Sequence, residues 1–189
     1  MLLRNPWRTA VPYSLRKPTA RTVTIGIYGG FMNDIIVARA LHVLAVVVWI
    51  GGVSMATTVA LPALRRGDLG PDRLKAFGAI ERRFIWQARA SVIIVGLSGL
   101  YMTWQLDLWD RFRMPAFWWM DAMVGLWLLF TFVLFIGEPF ILQRHFHRLA
   151  AERPDVAFAW LHRAHWILLG LSLGTVFAAV AGSHGWSIF

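Results

Sequence analysis

The sequence predicts an all-α integral membrane protein built as a four-helix bundle, and three observations predict it. Hydrophobic residues make up 58% of the chain against 15% charged, with a mean hydropathy of +0.56, a balance far from that of a soluble domain. Four apolar stretches are each long enough to cross a hydrocarbon core of about 30 Å, which takes roughly 20 helical residues. Charged or Pro/Gly-containing segments separate them. A chain of 189 residues spent mostly in spans has room for one compact bundle and no separate soluble catalytic domain. Cysteine is absent, which removes disulfides, thiolate metal sites and iron–sulfur ligation, so any metal must be held by His, Met or carboxylate.

The first span is Ile35–Leu61, 27 almost uninterrupted apolar residues with His42 about two turns inside the leading edge. Before it, Met32-Asn33-Asp34 reads as a natural start. Residues 1–31 read as an N-terminal extension, either a disordered tail or an upstream addition to the reading frame, and the four-span domain as 32–189. The tail lacks the continuous apolar region and small-residue cleavage site of a signal peptide. The second span is Phe84–Trp104, interrupted by Arg89, and the third is Ala116–Leu142. The fourth is Trp160–Gly182, entered through His162, Arg163 and His165, since charges close to a helix end snorkel to the interface. Most of the tryptophans, including Trp86, Trp104, Trp109, Trp118 and Trp186, fall near predicted ends, where amphipathic indoles sit at headgroup level. Small residues such as Gly51, Gly52, Gly96, Gly99, Gly170 and Gly174 let helices, or a flat cofactor, approach closely. No tandem repeat is visible beyond hydropathy.

Orientation follows from the basic residues. Let side A hold the start of the first span and side B its end. Of the 19 basic residues, eleven lie on B, in the loops 62–83 and 143–159 and at Arg89 and Arg163, and eight on A, five of them in the N-terminal tail. The positive-inside rule assigns both B loops to the cytoplasm and both termini to the periplasm of a bacterial inner membrane. The net charge of +9 is mostly loop arginine. It reads as topology and anionic-lipid contact, not nucleic-acid binding.

Threading the spans up and down gathers ionisable groups into one cluster per leaflet. Near A lie His42, Asp121 and His184, with Arg39 beside them; near B lie Arg89, Glu138, His162 and His165, with His145 and His147 just beyond the third span. Ionisable groups at such depth are costly and seek partners inside the bundle. Arg89 and Glu138 each sit about five residues from the B end, or roughly 7–8 Å at 1.5 Å per residue, so a guanidinium–carboxylate contact between them is expected. That contact reads either as a structural ion pair or as a site in which Arg89 binds an acidic group such as a haem propionate or a quinone headgroup, with Glu138 as proton carrier. His42 likewise has two readings: an imidazole bonded to a carbonyl or to Asp121, or an axial haem ligand. A b-type haem between helices needs a His or Met from each of two helices at matching depth, small residues for the ring and basic residues for the propionates. His42 and His184, flanked by Arg39, supply one such pair, with Met102 as a substitute; His165 with His145 or Met55 is a second. No Ser/His/Asp arrangement, phosphate-binding Gly-rich loop or HExxH motif is present, so hydrolase and nucleotide-dependent mechanisms have no support.

The phrase Ala40-Leu-His-Val-Leu-Ala-Val-Val-Val-Trp49-Ile-Gly-Gly52 resembles the first helix of the copper resistance protein D domain and of the HemJ-type protoporphyrinogen oxidases. The resemblance covers the first span. It implies a compact helical bundle in the inner membrane with His42 in the haem-ligand role. The lysines of this chain, Lys17 and Lys75, lie outside the spans, whereas the oxidase branch uses an intramembrane Lys. Further segments, including Glu81-Arg-Arg-Phe-Ile-Trp-Gln-Ala-Arg89, Gly137-Glu-Pro139 and Ser183-His-Gly-Trp186, resemble an uncharacterised family of proteobacterial membrane proteins. The expectation is a b-type haem protein of the lipid bilayer in electron transfer or membrane redox chemistry, with haem b as cofactor and a quinone or a respiratory membrane protein as partner. The rival expectation is a non-redox module for respiratory-complex assembly or copper handling, in which the polar clusters only join helices.

Overall fold

The computed structural model describes residues 20–70 and 72–186, with side chains described over the same ranges except 20–31, 141–145 and 147. Every described element is helical. In order they are α1 (Ala20–Met55), a five-residue π segment (Ala56–Ala60), α2 (Leu61–Arg66), α3 (Arg73–Gln105), two short 3-10 turns (Trp109–Arg113 and Pro115–Phe117), α4 (Trp118–Phe132), a second π segment (Val133–Leu142), α5 (Gln143–Glu152) and α6 (Pro154–Ser183). The chain divides into Met1–Asp34 and Ile35–Phe189, and the bundle lies in the second unit. Of the extension 1–31, residues 1–19 lie outside the described residues, and the chain is helical from Ala20.

Four stretches are long and apolar enough to cross a bilayer: Met32–Arg66, Arg73–Gln105, Pro115–Phe140 and Pro154–Ser183. The protein is an all-α four-helix bundle and a multi-pass membrane protein. The second and fourth helices begin 11 and 6 residues before the apolar spans Phe84–Trp104 and Trp160–Gly182. Local chemistry sets those starts. The Asp72 carboxylate accepts from the Lys75 amide at 3.0 Å and caps α3. Pro154 opens α6 at a position where its missing N–H costs nothing. Arg73 then joins the two starts through a 2.8 Å contact with Asp155.

Two apolar cores result. The first lies in the middle of the bundle, where Trp49 and Val53 of α1 meet Val92 and Val95 of α3, Phe130 of α4 and Leu169 of α6. Trp49 and Phe130 pack edge to face with centroids 4.7 Å apart, an arrangement that adds about 0.5–1.5 kcal/mol to the area it buries. The second closes the B end, where Leu64 of α2, Phe146 of α5 and Phe158 of α6 pack with Phe77 of α3. Outward faces are apolar too: Leu44, Val47, Leu97, Leu100, Leu173 and Phe177 are all exposed. Helices apolar on both faces are solvated by lipid outside and by one another inside.

Each π segment has a proline close by, Pro62 two residues past the end of the first and Pro139 inside the second, and the coincidence has a cause. In a π turn the amide of residue i bonds to the carbonyl of residue i−5, as the Leu61 amide does to Ala56. The next bond in that register would run from residue 62 to Thr57, but Pro62 has no N–H. In the second segment Pro139 leaves Leu134 bare in the same way. An unpaired carbonyl in hydrocarbon costs several kcal/mol, so each finds a donor on another helix. His162 Nε2 of α6 lies 2.9 Å from the Thr57 carbonyl and, with Nδ1 facing the Arg65 guanidinium, carries the ring proton toward it, in competition with the Trp166 indole N–H 3.0 Å away. Arg89 of α3 donates to Leu134 through Nε and Nη2 at 3.1 and 2.9 Å. The first and third spans therefore carry the same break near the B end, served by the fourth and second spans respectively.

Candidate functional site

Between the two π segments lies a cavity of about 110 Å³ whose walls are apolar except for Glu81, Glu138 and His165. Ala56 and Ala60 of the first segment and Val133 and Leu134 of the second line it, with Phe84 of α3. Bulged turns widen a helix and displace its side chains, which is why they recur at functional sites. Met55 lines the cavity and is also exposed, so the cavity reaches the outer surface of the bundle.

Glu138 is buried, at 6% exposure, and accepts from Arg89 Nη2 at 2.9 Å. The guanidinium is therefore shared between this carboxylate and the Leu134 carbonyl, and it also lies over the rings of Trp86 and Phe135 at 5.9 and 5.5 Å. The pairing expected from matched depth is present. Arg89 does not line the cavity. It holds Glu138 from behind.

His165 lines the cavity from α6. Its Nδ1 lies 3.0 Å from the Leu161 carbonyl, which can only accept, so Nδ1 carries the ring proton and Nε2 is the acceptor of the neutral ring. Glu81, half-buried on α3, makes no hydrogen bond or ion pair among the described residues. By its sequence alone it falls in the loop 62–83 before the second span. The spacing Phe77, Ile80, Glu81, Phe84, Ile85, Ala88 follows one helix face and is the signal for it. Pro62 and Pro139 were the unread signals for the two bulges. His162 caps the first bulge while its Nδ1 accepts from Arg65 at 3.1 Å. The side chains of His145 and His147 lie outside the described residues.

On side A the residues named by the sequence lie apart in their bonding. His42, half-buried on α1, reaches α3: its Nδ1 lies 3.1 Å from the Val95 carbonyl and 3.0 Å from Ser98 Oγ. The Ser98 hydroxyl donates to the Ile94 carbonyl at 2.6 Å, so both partners of Nδ1 are acceptors and Nδ1 is protonated. Nε2 has no hydrogen-bond partner among the described residues. His184 is exposed at the end of α6 and bonds locally, to the Val180 carbonyl at 2.8 Å and beside Ser183 Oγ at 3.3 Å. Arg39 and Asp121 are exposed, on α1 and in the first turn of α4.

These contacts test the fit of a haem between His42 and His184. His42 suits a ligand in one respect: a carbonyl fixes Nδ1–H and leaves Nε2 for a metal. The slots suit it less. A Cβ at Gly96 would overlap the Trp127 indole, which lies there to donate to the Val92 carbonyl at 2.9 Å. One at Gly182 would overlap Trp119, and the space beside Gly99 is held by the His42 ring itself. The small residues that were expected to admit a helix or a flat cofactor receive the bundle's own rings at these three positions. No cluster of three or more His, Asp or Glu side chains with metal-holding geometry occurs among the described residues.

No family model matches the chain, and neither the curated proteins nor the solved structures offer a match to it.

Proposed function

We propose that the chain binds the ring head of a lipid-soluble carrier of the quinone class and serves the redox chemistry of a bacterial inner membrane. The observation that carries this reading is the cavity at lipid depth, apolar but for Glu81, Glu138 and His165. At about 110 Å³ the cavity is smaller than the roughly 150 Å³ that takes up benzene, so a six-membered ring head would have to sit partly in its open edge. A quinone head is such a ring with two opposed oxygens, and it needs a few polar groups set in an otherwise greasy wall. With Met55 at an exposed edge, the apolar tail of such a carrier stays in the bilayer while the head is held. The excess of basic residues on side B assigns that side to the cytoplasm. Protons exchanged with the ring would then pass to or from the cytoplasmic side, nearest to Glu81.

The test is equilibrium binding of a short-chain benzoquinone to the full chain in lipid nanodiscs, with empty nanodiscs as the blank for partition. Saturable binding that falls at least tenfold in Ala60→Phe, which fills the cavity, and in Met55→Trp, which obstructs its edge, supports the reading. Binding equal to the blank defeats it.

A second reading, a haem b held by His42, is favoured by the free Nε2 opposite an anchored Nδ1. Reduced-minus-oxidised spectra of membranes carrying the chain decide it: a Soret band lost in His42→Ala supports the haem. The non-redox rival has its own support at Arg89 and His162, both engaged in capping carbonyls. It gives no account of Glu81 in an apolar cavity.

A further inference from the structure

Arg65 of α2 and His162 and Trp166 of α6 form a polar cluster at the B end of the bundle, and none of the three lines the cavity. Arg65 and Trp166 are exposed. The imidazole of His162 lies between them, its Nδ1 3.1 Å from Arg65 Nη1 and its Nε2 3.0 Å from the indole nitrogen of Trp166. The Thr57 carbonyl also meets Nε2, at 2.9 Å. Guanidinium and indole can only donate and the carbonyl can only accept, so one imidazole is asked to serve three neighbours with two nitrogens.

No protonation state of the ring does so. With the proton on Nε2, Arg65 and Thr57 are served and the indole N–H faces another N–H. With the proton on Nδ1, the indole is served, but Arg65 faces an N–H and Thr57 loses its donor. The doubly protonated ring serves Thr57 alone. In every state at least one N–H is left without an acceptor. Negative charge is lacking too: Arg65 makes no ion pair among the described residues, whereas its neighbour Arg66 has Asp68 at 2.8 Å.

The two donors belong to different depths. Arg65 lies four residues past the end of the first apolar span at Leu61, and Trp166 six residues inside the fourth, which begins at Trp160. Arg65 thus faces headgroup level and Trp166 the layer beneath it, where an unpaired N–H is costly. A diacyl glycerophospholipid carries its acceptors in the same order, with the anionic phosphate outermost and the ester carbonyls below. We propose that the cluster binds one anionic glycerophospholipid of the side-B leaflet, its phosphate on Arg65 and an ester carbonyl on the indole N–H of Trp166. With the indole served from outside, Nε2 keeps its proton for Thr57, so the bound lipid also secures the cap of the first bulge. Free phosphate supplies the charge and no deeper acceptor.

The experiment titrates the delipidated full chain in detergent with phosphatidylglycerol, phosphatidylcholine, the dialkyl-ether analogue of phosphatidylglycerol and inorganic phosphate. Native mass spectrometry counts bound lipid, and thermal melts follow every arm. The expected result is one copy of phosphatidylglycerol held about fivefold or more tighter than phosphatidylcholine, whose choline ammonium offsets the charge that Arg65 attracts, and a melting temperature that rises as the site fills. Arg65→Gln and Trp166→Phe should each weaken that binding about fivefold, while Arg113→Gln, exposed on side A, should leave it unchanged. The ether analogue should bind about as weakly to the unaltered chain as phosphatidylglycerol does to Trp166→Phe, and lose nothing further in that variant. Melts without lipid verify that the variants fold. Equal affinity for the two phospholipids, unchanged binding in folded Arg65→Gln or Trp166→Phe, or an ether analogue bound as tightly as the diester overturns the proposal. So does inorganic phosphate that raises the melting temperature as far as phosphatidylglycerol.

Discussion

The guanidinium of Arg89 meets the carbonyl oxygen of Leu134 twice, through Nε at 3.1 Å and through Nη2 at 2.9 Å. That carbonyl has no backbone donor because the residue five positions on is Pro139. The arginine is therefore a substitute for a missing amide before it is a partner for Glu138. The two jobs make different predictions.

Arg89→Ala leaves a bare Leu134 carbonyl and takes the guanidinium away from the buried Glu138 carboxylate. The expected loss is about 3–5 kcal/mol, read as a lower melting temperature and loss of the monodisperse peak in detergent. Glu138→Gln keeps an acceptor for Nη2 and should cost less than half as much. If the two variants melt together, the carbonyl contact is without weight.

Pro139→Ala restores an N–H that can serve Leu134. In that background Arg89→Ala should cost less than in the unaltered chain by about 1–2 kcal/mol, because the Leu134 carbonyl no longer needs the arginine. A double-mutant cycle on chemical denaturation in detergent measures the difference. Strict additivity would refute the proposed role of the proline.

The first bulge should behave alike. His162→Ala removes the donor to Thr57, a fully buried residue, with an expected cost of about 1–3 kcal/mol. Pro62→Ala in the same chain should recover part of it. His162→Gln, whose amide can still donate, should fall between the two.

Glycines differ by what covers them. Gly96→Val must displace the Trp127 indole and break its 2.9 Å bond to Val92, so a loss of about 1–3 kcal/mol is expected. Gly170→Ala faces open space on α6 and should raise stability by a few tenths to about 1 kcal/mol through lower chain entropy. Thermal melts of the two variants check the contrast.

His42→Leu keeps the volume and removes the tie from α1 to Val95 and Ser98. A loss of about 1–2 kcal/mol in melting measurements is expected for the broken bond and the acceptors it leaves.

Hydropathy made the four spans legible, since a lipid-solvated helix announces itself by length and greasiness. Helix ends were not legible in the same way. Arg73–Arg83 reads as a polar loop, yet it is helical because Asp72 caps it and Phe77 and Ile80 supply an inner face. That misplacement hid Glu81. The depth match of Arg89 and Glu138 was readable because both lie within the apolar runs of their spans. Helix rotation was not, because a bundle apolar on all sides has no polar face to betray it. Hence the contact of His42 with α3, and the filling of the Gly96 and Gly182 slots by Trp127 and Trp119, emerge only from packing. The prolines at 62 and 139 were visible, but their effect depends on π rather than α register, which composition does not declare.

The Thr57 carbonyl and its donor at His162 are separated by 105 positions. During synthesis the first hydrophobic segment must wait in the translocon or the lipid with that oxygen unsatisfied until the last segment emerges from the ribosome. Completion of the polypeptide and closure of the first break are thus one event, and a nascent chain halted before its final segment carries, in the bare oxygen, a chemical mark of being unfinished.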